Sequence, residues 1–391
     1  MVTSSTTPRV VWLANTFEDD APTRLMMETA MAWHKRNGGK NVMVALSRDG
    51  ILRNAIEAAG LQAIVVGMKG PADVAGLMRL FVLLRRLQPT LVHTTLLRPT
   101  VWGILAARAA GAKKTIITCN GIHEWKEGDA IGNAMAGPLF RCAARKADAL
   151  VCVSEGVKND LVNAGVKTRM MSVIANGIDP AMFTVKNSDP NAPRNRMERL
   201  WDSNWEHDAV VVAGAGNLRE VKGYDLFVQA AAQVRDTCPQ ARFVVWGEGT
   251  QRSCLEGMIR SLDLSDVFKL PGKAASIPHL LPECDLFVQP SRAEGFGLAA
   301  LEAMASGLPV VAASVGGLRT IVQDGVTGWR FSPGDSDALG RMLSQLLTQP
   351  ALMQTMGRAG RERALNQFTL EKMTNAYAQL IESLLAGGAG P

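Results

Sequence analysis

The chain has 391 residues, of which 47% are hydrophobic and 20% charged, and these proportions exclude a disordered or fibrous protein. Its 42 lysines and arginines outnumber 36 acidic residues, and the net charge of +6 suits a phosphate-bearing ligand or an anionic membrane surface. Aromatic residues make up only 5%, which argues against an aromatic stacking surface for nucleic acid. The length predicts two domains, or three.

The cysteines and the N-terminal segment indicate the cellular compartment in which the protein occurs. The six cysteines are scattered without a C-x-x-C pair, as is typical of buried thiols in a reducing environment. The first residues lack a basic segment followed by a long apolar stretch, and no uncharged apolar run reaches the roughly 18–20 residues of a membrane span. We therefore expect a cytoplasmic protein, and attachment to the inner face of the membrane stays open.

The first half of the chain alternates short apolar runs with stretches of helical periodicity. Strands are predicted at 10–14, 41–45, 63–66, 91–93, 115–118 and 149–153, with helices at 23–36 and 73–87 among the connections. In the second of these helices, the large apolar residues Leu77, Leu80, Phe81, Leu84 and Leu87 fall on one face. This alternation predicts a parallel sheet with helices on both of its faces.

A polar segment, residues 186–204, separates that series from a second one and is interpreted as a linker. Further strands are predicted at 209–213, 242–246, 267–270, 285–288 and 309–312. The predicted domains are 1–185 and 205–368; an amphipathic helix at 369–385 is expected to pack back on the N-terminal domain, before a flexible tail ending at residue 391. In such paired sheets ligands bind at the carboxyl ends of strands, so the cleft between the domains is the expected site.

Residues 285–330 carry the densest polar pattern. A turn at 291–297 precedes a predicted helix at 298–306, where free N–H groups suit a phosphate. Glu294 and Glu302 would lie about 12 Å apart on a helix, beyond the roughly 5–9.5 Å of a glycosidase carboxylate pair. We interpret them as carboxylates that accept hydrogen bonds from sugar or ribose hydroxyls, and a solvated Glu302 is the alternative.

A second loop carries cations. Arg219 and Lys222 follow the strand predicted at 209–213, where two positive charges suit a diphosphate, although exposed loop cations are the simpler alternative. Gly216 and Gly247, each just after a predicted strand, would let the backbone approach a ligand closely.

Residues 294–302, E-G-F-G-L-A-A-L-E, resemble the E-x7-E motif of retaining GT-B glycosyltransferases of the family 4 type, the glycosyl transferases group 1. The segments E-A-M-A-S-G-L-P-V-V-A at 302–312, N-L-R-E-V-K-G at 217–223 and V-I-A-N-G-I-D at 173–179 resemble the same family. The resemblance covers nearly the whole chain and is most specific in the C-terminal half. It implies two Rossmann-like parallel-sheet domains that face each other across a cleft.

The resemblance also implies residue roles. Glu302 would bind the donor ribose and Glu294 the transferred sugar, while Lys222 would bind the diphosphate. Arg219 is assigned as the partner cation, because the usual arginine position holds Asn217. The implied donor-binding residues are Glu302, Phe296, Gly297, Leu298, Gly295, Ser291, Gly216, Asn217 and Gly247, and no metal ligands are expected.

The N-terminal half departs more from the family. Relatives often place a histidine where this chain has Asn120, in T-C-N-G. His123, three residues later, and His93, at the end of a predicted strand, are further catalytic candidates beside Glu294, Arg219 and Lys222. A structural role is the competing interpretation of a histidine at a strand end.

The implied function is a metal-independent, retaining transfer of a sugar from a nucleotide-diphosphate sugar to a glycan or lipid-linked acceptor. Synthesis of lipopolysaccharide, exopolysaccharide or glycolipid would fit, with no cofactor beyond the donor substrate and no nucleic acid partner. The alternatives are a sugar-nucleotide epimerase and a non-catalytic sugar-nucleotide-binding protein on the same fold. A dehydrogenase is disfavoured because no full G-x-G-x-x-G opens either domain.

Two further patterns each have two interpretations. Asp335 and Asp337 resemble the D-x-D metal motif of another glycosyltransferase fold, but their place before a predicted helix favours capping. The 77–87 segment carries Arg79, Arg85 and Arg86 beside bulky apolar residues. It is either a helix for the membrane surface or a core-packing helix with a basic outer face.

Overall fold

A computed structural model describes residues 9–122, 125, 130–185, 205, 209–274 and 276–387. Contacts divide the chain into an N-terminal unit, residues 1–177 with 370–391, and a C-terminal unit, residues 178–369. Each unit contains its own parallel sheet. The segment predicted as linker, 186–204, lies outside the described residues.

The N-terminal unit contains a sheet of seven described strands in the order β3-β2-β1-β4-β5-β6-β7, and all neighbours are parallel. The strands are β1 (Val10–Thr16), β2 (Val42–Arg48), β3 (Gln62–Val65), β4 (Leu91–Thr95), β5 (Lys114–Cys119), β6 (Ala149–Cys152) and β7 (Met171–Val173). The helices are α1 (Ala21–Asn37), α2 (Leu52–Ala58), α3 (Val74–Leu87), α4 (Leu97–Ala109), α5 (Ala130–Lys146) and α6 (Glu155–Asn163). This confirms the predicted α/β class; β7, a short edge strand, was not predicted.

The C-terminal unit repeats the same topology with six described strands, in the order β10-β9-β8-β11-β12-β13. The strands are β8 (Val210–Ala215), β9 (Ala241–Trp246), β10 (Phe268–Gly272), β11 (Leu286–Gln289), β12 (Val310–Ala313) and β13 (Gly328–Phe331). The helices are α7 (Tyr224–Arg235), α8 (Arg252–Ser261), α9 (Leu298–Ala305), α10 (Leu318–Ile321), α11 (Ser336–Leu347) and α12 (Pro350–Gln367). Both orders are those of the Rossmann fold, in which the strand order reverses once. The reversal falls between β1 and β4 in one sheet and between β8 and β11 in the other.

The last helix, α13 (Leu370–Leu385), belongs to the N-terminal unit. Its apolar face enters the core that contains Trp12 and Trp33, with Tyr377 and Ile381 fully or nearly fully buried. The predicted domain boundary at 185 differs from the division after Gly177, because Ile178 and Phe183 form hydrogen bonds with residues of the C-terminal unit. The Ile178 N–H donates to the Phe368 carbonyl at 3.0 Å.

Helix α3 has the predicted buried face, with Leu80 and Leu84 at 0% exposure. Its Arg79 donates to the carbonyls of Val66 and Gly67, at 3.0 and 2.8 Å, so this cation stabilises the fold locally. No helix within the described ranges is long and apolar enough to cross a membrane.

Asp335 caps α11, as predicted, because its carboxylate accepts the Ala338 N–H at 2.8 Å. Asp337 accepts a hydrogen bond from Gln233 on α7 at 2.7 Å.

Candidate functional site

Two polar loops of the C-terminal unit meet where its strand order reverses. Strands β8 and β11 are parallel neighbours, so the loops that follow them, residues 216–223 and 290–297, leave the same edge of the sheet. The Arg292 N–H donates to the Val221 carbonyl at 2.8 Å and ties the two loops together. Residues far apart in sequence are therefore adjacent at the edge where α/β sheets bind ligands.

Lys222 and Glu294 form an ion pair across these loops. Lys222 Nζ lies 2.8 Å from Glu294 Oε2, and the two side chains are 24% and 11% exposed. Ser291 Oγ donates to the same oxygen at 3.1 Å and Gln289 Nε2 reaches it at 3.4 Å. One carboxylate oxygen therefore receives one cationic and two neutral donors.

The interior of this cluster retains unused hydrogen-bonding capacity. Gln289 Oε1 and the Tyr224 hydroxyl are buried and have no hydrogen-bond partner among the described residues. Burial, and next the nearby Glu294 charge, raise the pKa of Tyr224, which keeps its hydroxyl protonated. Because buried polar groups of native proteins are nearly always paired, two such atoms beside one ion pair mark a place where a polar ligand could bind.

A second ion pair holds the loop that carries Glu294. Arg292 donates to both oxygens of Asp225 at the start of α7, at 2.7 and 2.5 Å, and to the Glu220 carbonyl at 3.0 Å. Burial alone would raise the pKa of Asp225, but the hydrogen bonds and charge of Arg292 lower it overall. This bidentate pair gives the loop a defined position.

Helix α9 begins directly after that loop. Its N-cap, Gly297, has φ +103° and contributes no side-chain cap. Phe296 and Gly297 are buried, whereas Leu298 and Glu302 are partly exposed on the helix. The first-turn N–H groups and the Glu302 carboxylate thus belong to one short helix beside the Lys222–Glu294 pair, and a helix N-terminus attracts anions.

The glycine loops pack against each other. Gly247 has φ +154°, and a Cβ there would lie 1.9 Å from the carbonyl oxygen of Gly216. The Gly216 N–H in turn donates to the Trp246 carbonyl at 2.9 Å. Backbone packing thus requires a residue without a side chain at position 247, and the donor-binding role of Gly247 stays a prediction. Asn217 is exposed and Arg219 partly exposed in the same loop as Lys222.

The candidates of the N-terminal unit have a different environment. His93 is 2% exposed; its Nε2 is 2.8 Å from Thr118 Oγ1, which is 2.9 Å from the Tyr377 hydroxyl of α13. Burial lowers the pKa of His93 to about 3, so the ring is neutral at ordinary pH. His93 therefore lies within the core, and its catalytic assignment stays a prediction.

Asn120 follows β5, is partly exposed and donates to Thr95 Oγ1 at 3.0 Å. Asn120 and His93 line one cavity of about 20 Å³, which is room for a single water molecule. His123 lies outside the described residues.

Three residues around Glu294 were missed by sequence reasoning. Gln289 and Tyr224 contribute the buried polar atoms, and a glutamine at the end of the apolar run 286–288 was an available signal. Gly316, after β12, was not singled out; a Cβ there would lie 1.6 Å from the Glu294 carbonyl oxygen. Gly316 and Glu294 lie on different loops, so the sequence does not show that they touch.

Solved structures define the class of this protein. HepE of Anabaena, in complex with UDP and glucose, superposes with a TM-score of 0.82 at 21% identity, over 96% of this chain and 100% of that one. This likeness shows a shared fold, the GT-B arrangement of two Rossmann-like domains.

Sequence comparisons identify the family. The family described as Glycosyl transferases group 1 matches residues 195–363, and Glycosyltransferase Family 4 matches residues 23–182. A GDP-mannose-dependent alpha-(1-6)-phosphatidylinositol monomannoside mannosyltransferase of Mycolicibacterium smegmatis is 30% identical over 70% of this chain and 72% of its own length. The chain therefore belongs to the group 1, family 4 glycosyltransferases.

Another relative matches over less of its length. A D-inositol 3-phosphate glycosyltransferase of Thermobifida fusca is 31% identical over 246 residues, which are 59% of this chain and 55% of that protein. The chain thus spans little more than half of this relative.

Proposed function

We propose that this chain is a retaining glycosyltransferase that moves a sugar from a nucleotide-diphosphate donor to a glycan or lipid-linked acceptor. The observation that carries the proposal is the partly exposed Lys222–Glu294 pair, which lies beside the N-terminus of α9 at the carboxyl edge of β8 and β11. Two related proteins support a nucleotide donor. The Anabaena neighbour binds UDP and glucose, and the Mycolicibacterium relative is GDP-mannose-dependent.

In the proposed chemistry, the bond between the sugar and the diphosphate breaks and the leaving diphosphate gains negative charge. Lys222, Arg219 and the first N–H groups of α9 would stabilise that charge as preorganised donors. Glu294 would accept a hydrogen bond from the transferred sugar and Glu302 from the ribose. Retention would follow from front-face attack, in which a donor phosphate oxygen helps to take the acceptor proton, so no protein nucleophile is needed.

The acceptor would be recognised by the N-terminal unit, with Asn120 the partly exposed candidate at a strand end. Helix α3 supports a lipid-linked acceptor at the inner face of the membrane. Val74 and Met78 on it are 75% and 57% exposed, and Arg85 and Arg86 are exposed at its end. Apolar and basic side chains on one surface helix suit an anionic lipid surface.

The test is donor binding and transfer by Lys222→Ala. Thermal shift with UDP-, GDP- and ADP-sugars identifies the donor, because a ligand of the native state raises the melting midpoint. Losing one charge-assisted contact should weaken binding of that donor about 10- to 100-fold. Lys222→Gln should show the same loss while it keeps a hydrogen-bond donor beside Glu294.

The matched control is Lys269→Ala. Lys269 lies near the amino end of β10, and among the described residues its Nζ contacts only the Ser265 carbonyl, at 2.8 Å. It should bind donor like the wild type. Full transfer activity in Lys222→Ala would overturn the assignment.

The second candidate is a sugar-nucleotide epimerase or a non-catalytic binding protein, favoured by Asn120 at the usual histidine position. Incubation with the donor alone separates these functions. An epimer formed without any acceptor would establish the epimerase. Donor binding without any reaction, even when glycan and lipid-linked acceptors are added, would favour the binding protein.

A further inference from the structure

The Glu294 carboxylate is nearly buried, and Lys222 is its one cationic partner among the described residues. Under the proposed function, a diphosphate attracts that same lysine. When Lys222 turns toward the diphosphate, Glu294 loses the cation that neutralises it. A buried charge without compensation strongly destabilises a site, so the carboxylate needs other donors at that moment.

A short hydrogen-bond chain supplies such donors. Gln289 ends β11 at 1% exposure, and its Nε2 donates to Ser291 Oγ at 2.9 Å. Ser291, at 0% exposure, donates a hydrogen bond from its hydroxyl to Glu294 Oε2 at 3.1 Å. Amide, hydroxyl and carboxylate therefore point their dipoles in one direction, and such chains strengthen each bond within them.

The carboxylate also dictates which way the glutamine amide points. Only its N–H₂ end can donate toward Ser291 and Glu294, and this leaves Gln289 Oε1 buried without a partner among the described residues. A buried, unpaired oxygen is unfavourable. The orientation of the Gln289 amide is therefore explained by the contacts of its nitrogen with Ser291 and Glu294.

We propose that Gln289 is a positioning residue for Glu294, acting directly and through Ser291. It holds the carboxylate in place while Lys222 exchanges Glu294 for the diphosphate of the donor. The inference rests on the proposed function, since it takes the incoming ligand to be a nucleoside diphosphate. Gln289 itself need not touch the substrate.

The test is a double-mutant cycle with Gln289→Leu and Glu294→Gln. The probe is whichever of UDP, GDP and ADP raises the melting midpoint most, since a diphosphate without sugar avoids any direct contact of Glu294 with the sugar. Gln289→Leu alone should raise the Kd about tenfold, because Glu294 then retains Lys222 more tightly. In the Glu294→Gln background, the same change should alter the Kd less than about twofold, because no buried charge remains to compensate.

A merely structural role predicts the same factor in both backgrounds, and that result, or no effect in either, would overturn the inference. If Gln289→Leu lowers the melting midpoint of the unliganded protein, Ser291→Ala tests the same hydrogen-bond chain with a smaller change of side-chain volume. It should raise the Kd in the wild-type background and change it less in the Glu294→Gln background. Gln233→Leu is the matched control: this exposed glutamine also donates to a carboxylate, that of Asp337, and its loss should leave the Kd unchanged.

The two proposals fail differently. A wild-type chain that binds none of the three nucleotides would overturn the proposed function and this inference with it. A wild-type chain that binds one of them, with equal effects of Gln289→Leu in both backgrounds, would overturn the positioning role alone.

Discussion

The two units have the same strand order, yet the polar groups near their points of reversal differ in charge and burial. In the C-terminal unit, Lys222 and Glu294 form a partly exposed ion pair. In the N-terminal unit, the corresponding region contains a neutral chain from His93 through Thr118 to Tyr377, all less than 9% exposed. One topology thus carries a charged site suited to an anion and a neutral network suited to packing, and the side chains rather than the fold decide the chemistry.

The largest expected effect comes from disturbing the backbone under the charged site. Gly316→Ala would place a Cβ 1.6 Å from the Glu294 carbonyl oxygen, so the loop must move. We expect a loss of about 3 kcal/mol or more in the free energy of unfolding, the size of a severe steric substitution. Denaturant unfolding measures it, with nucleotide binding lost as well.

Gly257→Ala, within α8, is the control, because a Cβ there meets nothing within 4 Å. It should be neutral or stabilising by up to about 1 kcal/mol. Equal stability of the two variants would contradict the packing argument.

The buried His93 should make the free energy of unfolding depend on pH. His93 stays neutral in the folded chain down to a pKa of about 3, whereas an unfolded histidine titrates at 6.5. As pH falls below 6.5, His93 becomes protonated in the unfolded state but not in the folded state. The free energy of unfolding therefore falls by about 1.4 kcal/mol per pH unit. Between pH 7.5 and 5.0, the wild type should lose about 2 kcal/mol more than His93→Gln.

Unfolding curves at the two pH values measure this difference. If the wild type and His93→Gln lose the same unfolding free energy between these pH values, a group other than His93 causes the pH dependence.

Tyr377→Phe removes the hydroxyl that ends the same network, 2.9 Å from Thr118. Losing one buried hydrogen bond should cost about 1–2 kcal/mol in unfolding free energy. The nucleotide Kd should not change, since the contacts of this tyrosine lie in the N-terminal unit. A higher nucleotide Kd in a variant of normal stability would contradict the assignment of nucleotide binding to the C-terminal unit.

The smallest effect is expected at the Arg292–Asp225 pair. The pKa of Asp225 is lowered, so its contribution is complete above pH 4 and disappears as pH falls through the folded pKa. Both side chains are about one-third exposed, and solvent screening limits the contribution to about 1 kcal/mol or less. Asp225→Asn should therefore be slightly less stable than the wild type at pH 6, and this deficit should shrink as pH falls below 4; a deficit that grows toward low pH would contradict this.

The sequence by itself determined the α/β class and most strand positions, because strands of a parallel sheet are buried on both faces and read as apolar runs. It also placed Lys222 and Glu294 in polar loops after predicted strands. It missed the edge strands β7 and β13, which are three and four residues long and partly exposed, because such short segments do not form a recognisable apolar run.

Only the tertiary structure decided which of these residues meet. Lys222 and Glu294 are 72 positions apart, and the adjacency of β8 and β11 joins them. The Gln289–Ser291 chain, the burial of His93 and the packing of Gly316 likewise depend on distances between elements. Local propensity carries no information about such distances, since sheet order and close packing arise only when the whole chain is folded.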